Sequence, residues 1–296
     1  MAAAALVAAV TGCATSSGAG TLPGGVVPVA ASISAWGSIL QQLGGTHVRA
    51  SSIITNPNTD PHDYEPTVAD ARTIADSRLF VDNGIGYDSW ASKALAASPD
   101  SSRQVIDVGK LVRVPTGGNP HQWYSPAAVE AVADTITADL KKLDPADAAY
   151  FDSQRRDFES TGLAQYHRLI SEIRSSYAGT PVGASESIFT PLSDALGLKL
   201  ITPPGFLKAI SEGTDPSAAD KAVIDAQISG RKIKVYVYNS QNATPDVAAQ
   251  VTAAKRAGIP VSTITETRTP ASATFQQWQS AQLRQLATAL AEAVGR

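Results

Sequence analysis

The chain lacks several things that would have narrowed its reading at once. No stretch approaches the ~20 consecutive apolar residues needed to span a bilayer. It has no run of like charges, and its formal net charge of -3 offers no basic stripe, which speaks against a nucleic-acid partner. No internal repeat recurs at a solenoid period. The His-Glu-x-x-His pattern of a metallopeptidase helix is absent, and the whole sequence holds only four histidines and one cysteine. What remains is a soluble globular composition: 43% hydrophobic and 17% charged residues with a mean hydropathy of -0.05. At 296 residues the chain exceeds what one core usually serves, so two lobes are expected.

The lone cysteine, Cys13, closes a short apolar run that begins at Ala2. Val10-Thr11-Gly12-Cys13 resembles a bacterial lipobox, in which cleavage before Cys13 leaves the thiol to carry a lipid; the plain alternative is a buried thiol. A signal segment ordinarily opens on Lys or Arg, whereas the first basic residue is Arg49, so the natural start is expected upstream of Met1. The expectation is a signal segment at 1–12, a Ser/Gly-rich tether at 13–26 and a lipid anchor on the extracytoplasmic face of the membrane.

Beyond the tether, short β-rich runs alternate with helical stretches, the pattern of parallel sheets with crossover helices. Strands are predicted at Val27–Ala31, Val48–Ile54, Leu79–Asn83 and Val105–Val108, then at Val182–Ala184, Lys199–Ile201, Ile233–Tyr238 and Val261–Ile264. Helical spacing covers Ser34–Leu43, Thr67–Ala75 and Tyr87–Ala97 in the first half. In the second it covers Ile188–Leu196, Ser217–Ser229, Pro245–Ala257 and Thr274–Val294. Ser125-Pro126 is a strong helix start, and Phe151, Phe158, Tyr166, Ile170, Ile173 and Tyr177 extend one apolar stripe to the end of a long helical connection, with a joint at Asp144-Pro145. The expected fold is therefore α/β: two (β/α) lobes with mainly parallel sheets, at 27–124 and 179–296, joined by a long connecting helix across 125–178. Such a connection is stiff and limits closing motions.

Open α/β sheets place ligands beyond the carboxyl ends of their strands, and four candidate donors fall there. His62 follows the second strand in a proline-punctuated loop, His121 sits in Asn-Pro-His-Gln-Trp, and Glu186 and Glu266 follow strands of the second half. Two imidazoles and two carboxylates neutralise a divalent ion and form a mixed N/O shell suited to Mn, Fe or Zn. Each donor also has a plainer reading: a loop histidine bonded to backbone, a helix-terminal acid for Glu186, a solvated loop acid for Glu266. Glu212 and Asp60 are the substitutes should Glu266 fail. His47 and His167 read as surface or packing residues, and Trp123, Phe189 and Phe206 as packing, with a possible second role as cleft wall.

The elements Asp60-Pro61-His62-Asp63-Tyr64-Glu65-Pro66-Thr67 and Asn119-Pro120-His121-Gln122-Trp123 resemble the two histidine motifs of the zinc/manganese substrate-binding proteins of ABC importers. The resemblance runs from Val27 onward and takes in Ser185-Glu186-Ser187-Ile188-Phe189 and the segment from Ser211 to Ser217. It implies two lobes joined by one long helix with a metal between them. It also implies a monomeric, non-enzymatic carrier that docks on a permease driven by an ATPase. His62 and His121 would be ligands from the first lobe, Glu186 and Glu266 from the second. Zinc-type members usually carry histidine where this chain has Glu186, so the resemblance leans to manganese, with zinc next and iron after it. Two departures stand out: Glu266 replaces the usual aspartate, and Asn239-Ser240-Gln241 replaces an acid near the end of the penultimate strand. The alternatives are a zinc-specific carrier of the same type and, from other classes, a metal-dependent hydrolase or a structural lipoprotein.

Overall fold

The computed structural model describes residues 25–56, 59, 64–242 and 244–295. Two four-stranded sheets, parallel throughout, organise the molecule. The first half runs β1 (Val27–Ile33), α1 (Ser34–Gly44), β2 (Val48–Ile54), α2 (Val68–Asp76), β3 (Leu79–Asp82), α3 (Ser89–Ala97), β4 (Gln104–Asp107) and α4 (Val108–Leu111). Its strands are ordered β2-β1-β3-β4. After the connecting helices α5 (Pro126–Leu143), α6 (Ala148–Asp157) and α7 (Ala164–Tyr177) comes the second half. It contains β5 (Pro181–Ala184), α8 (Thr190–Ala195), β6 (Lys199–Leu200), α9 (Pro204–Ser211), α10 (Ala218–Ser229), β7 (Val235–Asn239), α11 (Pro245–Arg256), β8 (Val261–Ile264) and α12 (Phe275–Val294). Here the order is β6-β5-β7-β8, the same winding repeated.

Local chemistry explains the element starts. Thr67, Ser125, Ser217, Thr244 and Thr274 each accept a backbone N–H at a helix N-terminus, and Thr67 with Asp70 and Thr274 with Gln277 complete reciprocal capping boxes. Pro126 and Pro245 occupy first-turn positions where the missing N–H costs nothing.

The connection between the sheets is three helices and not one. It breaks at Asp144-Pro145, where proline cannot continue the hydrogen-bond ladder, and widens into a π-turn at Phe158–Gly162. Arg155 fastens the bend by reaching Glu130, Asp134 and Glu159 at once. The predicted stripe still faces inward: Phe151, Phe158, Tyr166 and Ile173 are buried, and Ile170 and Tyr177 pack against the same core.

That core is shared. A single apolar cluster runs from Val27 in β1 through Val129 and Ile136 of α5 to Val182, Val235 and Ile264 of the second sheet and Leu290 of α12. Helix α12 returns across the seam, with Phe275 N–H donating to Ser38 of α1 and Gln276 to Gln42. A smaller core around Phe206, Ile224 and Tyr236 lies on the outer side of the second sheet. Because burial continues from one sheet to the other, separating them would expose apolar area at about 25 cal/mol per Å2, which holds the lobes in fixed register. Among the described residues no helix is long and apolar enough to cross a membrane.

Candidate metal centre

The C-terminal ends of β3 and β4 and of β5, β7 and β8 point their following loops at one seam, where His121 meets Glu266 and both act electrostatically on Glu186. His121 is fully buried, and Asn119 orients its ring. Asn119 donates through its amide nitrogen to the Ser187 carbonyl at 2.7 Å, which makes its other side-chain atom, Oδ1, the acceptor. That oxygen receives the His121 backbone N–H at 3.0 Å and lies 2.8 Å from Nδ1, so Nδ1 carries the proton. In the neutral ring Nε2 then bears the lone pair, and it faces Glu266 Oε1 at 3.0 Å. Two lone pairs at that separation repel unless a proton or a cation lies between them.

Glu266 is positioned from behind by a buried network. Tyr124, fully buried in the first lobe's loop, donates to the Thr265 carbonyl at 2.8 Å, and Gln282 of α12 accepts the Thr265 N–H at 2.9 Å. Trp278 donates to the Thr265 hydroxyl at 2.8 Å. From the opposite side Tyr87 donates to Glu266 Oε2 at 3.0 Å, a bond across the seam. Tyr87 follows a turn in which Gly84, Ile85 and Gly86 all have positive φ, at 69°, 63° and 94°. Glycine adopts this freely, but for a β-branched residue it stores about 1–3 kcal/mol of strain. Asp88 holds the turn by accepting Asn83 N–H and Gly84 N–H, both at 2.8 Å.

Glu186 is 1% exposed and follows β5. Asn239 donates to its Oε1, and Asn242 to its Oε2 at 2.7 Å. Burial pushes its carboxyl up to about 7, the charge of Glu266 adds to that, and His121 with the two amides opposes it. Two acids in a dry seam thus resist ionising together, and a cation between them would remove the penalty.

Trp123 and Tyr87 pack edge-on against the His121 ring, with centroids 5.3 and 6.1 Å away, and so wall the seam. Phe189 belongs to the shared core and Phe206 to the outer one. A cavity of about 310 Å3 beside the seam is lined by Tyr87, Asn119, Ser187 and Lys208 and by none of His121, Glu186 and Glu266. Glu212 sits exposed on its rim, paired with Lys208. His62, Asp60 and Cys13 lie outside the described residues.

His121, Glu186 and Glu266 are not one of the triads among the described residues whose donor atoms all lie within 4.8 Å of one another. Such triads occur elsewhere, at His47/Asp144/Asp147 and Glu130/Glu159/His167. Both fasten the connecting helices. His47 lies on Tyr150 and meets Asp147 at 3.0 Å at the helix joint, while Arg155 already supplies the positive charge to the second group. Tyr87, Tyr124 and Asn242 are polar groups of the seam that sequence reasoning did not single out. Only the strand-end position of their loops pointed toward them.

A model of the family described as "ZnuA: Zinc-uptake complex component A periplasmic" matches residues 29–289. The chain belongs to this family. Members are binding components of metal uptake and not enzymes. Over 209 residues, 64% of each chain, it is 23% identical to the high-affinity zinc uptake system protein ZnuA of Bacillus subtilis. Over 122 residues, 40% of each chain, it is 26% identical to the manganese-binding lipoprotein MntA of Halalkalibacterium halodurans. These matches span less than two thirds of either relative's own length. In fold it is similar to a mutant, manganese-bound periplasmic metal binding protein from Candidatus Liberibacter asiaticus. The TM-score is 0.74 at 19% identity, covering 90% of this chain and 99% of that one.

Proposed function

We propose that the chain captures one divalent transition-metal ion in the seam between its lobes and delivers it to the permease of an ABC importer powered by its ATPase. The ion would be cargo, held by His62, His121, Glu186 and Glu266. One observation carries the reading: across the seam, His121 Nε2 faces Glu266 Oε1 at 3.0 Å, a separation that needs a proton or a cation between the two atoms. Burial of Glu186 beside a second acid points the same way. Two imidazoles and two carboxylates would balance a 2+ charge and leave a mixed N/O shell.

Between metals, two oxygen donors of full negative charge shift the shell toward Mn2+ relative to an imidazole-rich one; Zn2+ still binds any such shell more tightly, so supply in the cell would decide which ion is carried. The zinc reading has its own support in the family description and in the Bacillus relative's name. A lipid on Cys13 and the tether at 13–26 would hold the 27–124 and 179–296 lobes, joined through 125–178, as a monomer at the outer face of the membrane. Release would follow docking if either lobe's donors were drawn apart, since affinity depends on all four converging.

Equilibrium dialysis followed by metal analysis tests the site. One ion per chain is expected, lost in His62→Ala and in His121→Ala, and retention by both variants would rule it out. Metal content of protein isolated from manganese-replete and zinc-replete cells tests the preference. Zinc predominating in both would overturn the manganese assignment.

A further inference from the structure

We propose that Asn239 and Asn242 are positioning residues of the ion site: their two side-chain amides clamp Glu186, one on each oxygen, and so set how that carboxylate meets the ion and which ion it favours. The inference rests on the cargo reading above and adds what fixes the second lobe's donor.

The orientation of both amides is settled by their other partners. Asn239 is fully buried, and its Oδ1 accepts the Gln241 backbone N–H at 2.9 Å, so the atom turned to Glu186 Oε1 is the nitrogen. Its own backbone N–H donates to Ser185 Oγ at 3.0 Å, which ties the end of β7 to the end of β5. Asn242 places Nδ2 against two acceptors, Glu186 Oε2 at 2.7 Å and the Ile210 carbonyl at 3.2 Å, and only a two-hydrogen donor satisfies both. With each oxygen already accepting one hydrogen bond, the carboxylate cannot rotate about its last torsion without breaking one of them. The lone pairs left over are those available to the seam. Partners that orient a ligand side chain typically change the ion's affinity 10–100-fold when removed. A fault in an oxygen ligand costs Mn2+ more than Zn2+, since the imidazoles retain zinc. The amides are neutral, so they orient Glu186 without adding charge that would compete with the cargo.

Asn239 also holds its own loop, so the test uses Asn242 in the full chain. Mn2+ and Zn2+ affinities are measured by competition with a fluorescent chelator, alongside thermal unfolding of the metal-free protein, for Asn242→Ala and Asn242→Asp. The expected result is a loss of about 10–100-fold for Mn2+ and a smaller one for Zn2+, with the metal-free protein still unfolding in one cooperative transition at a modestly lower temperature. Asn242→Asp keeps the shape but replaces the donor with an acceptor that repels the Glu186 carboxylate, so Mn2+ should still bind more weakly than in the parent; a merely space-filling role would leave it intact. Read with Zn2+, whose higher affinity keeps a weakened site measurable, Asn242→Ala should change little in a Glu186→Gln background. Mn2+ affinity unchanged in both single variants, or an equal loss with and without the Glu186 carboxylate, overturns the clamp. Failure of the unmodified chain to bind either ion overturns the cargo reading and the clamp with it. Binding by the unmodified chain that ignores Asn242 overturns the clamp alone.

Discussion

Replacing Asp82 by asparagine should stabilise the protein, and by more the higher the pH. Asp82 ends β3, is 2% exposed, and its Oδ1 meets no hydrogen-bond donor among the described residues. Ser92 reaches its other oxygen at 3.4 Å, and the Gly84 N–H opposes the upward shift of its carboxyl without cancelling it. Burial pushes its carboxyl up to about 9 from 3.8, and the neighbouring Asp88 and Asp107 push it further the same way. The folded protein therefore holds a proton on Asp82 that the unfolded chain releases above its ordinary carboxylate pKa. The stability this proton confers is complete below pH 3.8 and declines as pH rises towards about 9. The slope is at most about 1.4 kcal/mol per pH unit, so the penalty reaches about 2 kcal/mol at pH 5 and about 6 kcal/mol at pH 8. Asparagine keeps the shape, stays neutral and can donate to Asp88, so the gain of Asp82→Asn over the parent should grow by up to about 4 kcal/mol between those pH values. Urea unfolding of both proteins at pH 5 and pH 8 measures it, and any fixed packing difference cancels. A gain or loss that stays the same at the two pH values would refute a protonated Asp82.

Three further outcomes follow from local geometry. Gly44→Ala should cost about 1–3 kcal/mol in urea unfolding, because a Cβ there would stand 2.2 Å from Val48 Cγ2 at the start of β2. Thr67→Ala removes one side of a capping box and should cost about 1 kcal/mol, visible as faster amide exchange confined to α2. Tyr124→Phe strips the buried donor from the Thr265 carbonyl and should cost about 1–3 kcal/mol. Since Glu266 is the next residue, the same variant should also weaken metal binding in a dialysis titration.

Strand positions were legible because strands buried on both faces read as short apolar runs, and helix starts because Thr67, Ser125, Ser217 and Thr274 are capping residues. Helix α9 escaped this reading. Pro203-Pro204-Gly205 looks like a breaker, yet Pro204 is a first-turn proline, and Gly205 lies where a Cβ would press within 2.8 Å of Asp220 in α10. Nor could the pattern of apolar residues reveal that the two sheets share one core, since periodicity tells which face is buried and not against what. At the candidate site, His121, Glu186 and Glu266 were visible as donors just beyond strand ends. Tyr87 and Asn242 were not, because their partners lie 179 and 56 residues away and only the folded chain brings them together. The substitution at Asn239 was visible as a departure from pattern, but its role as a donor to Glu186 depends on where Gln241 N–H points.

The most direct test of the cargo site is X-ray absorption at the metal edge of the full chain loaded with one equivalent of Mn2+, and separately of Zn2+. The account predicts two imidazole nitrogens and carboxylate oxygens around each ion, with the imidazole scattering halved in His121→Ala. A shell made only of oxygen, unchanged in that variant, would contradict it.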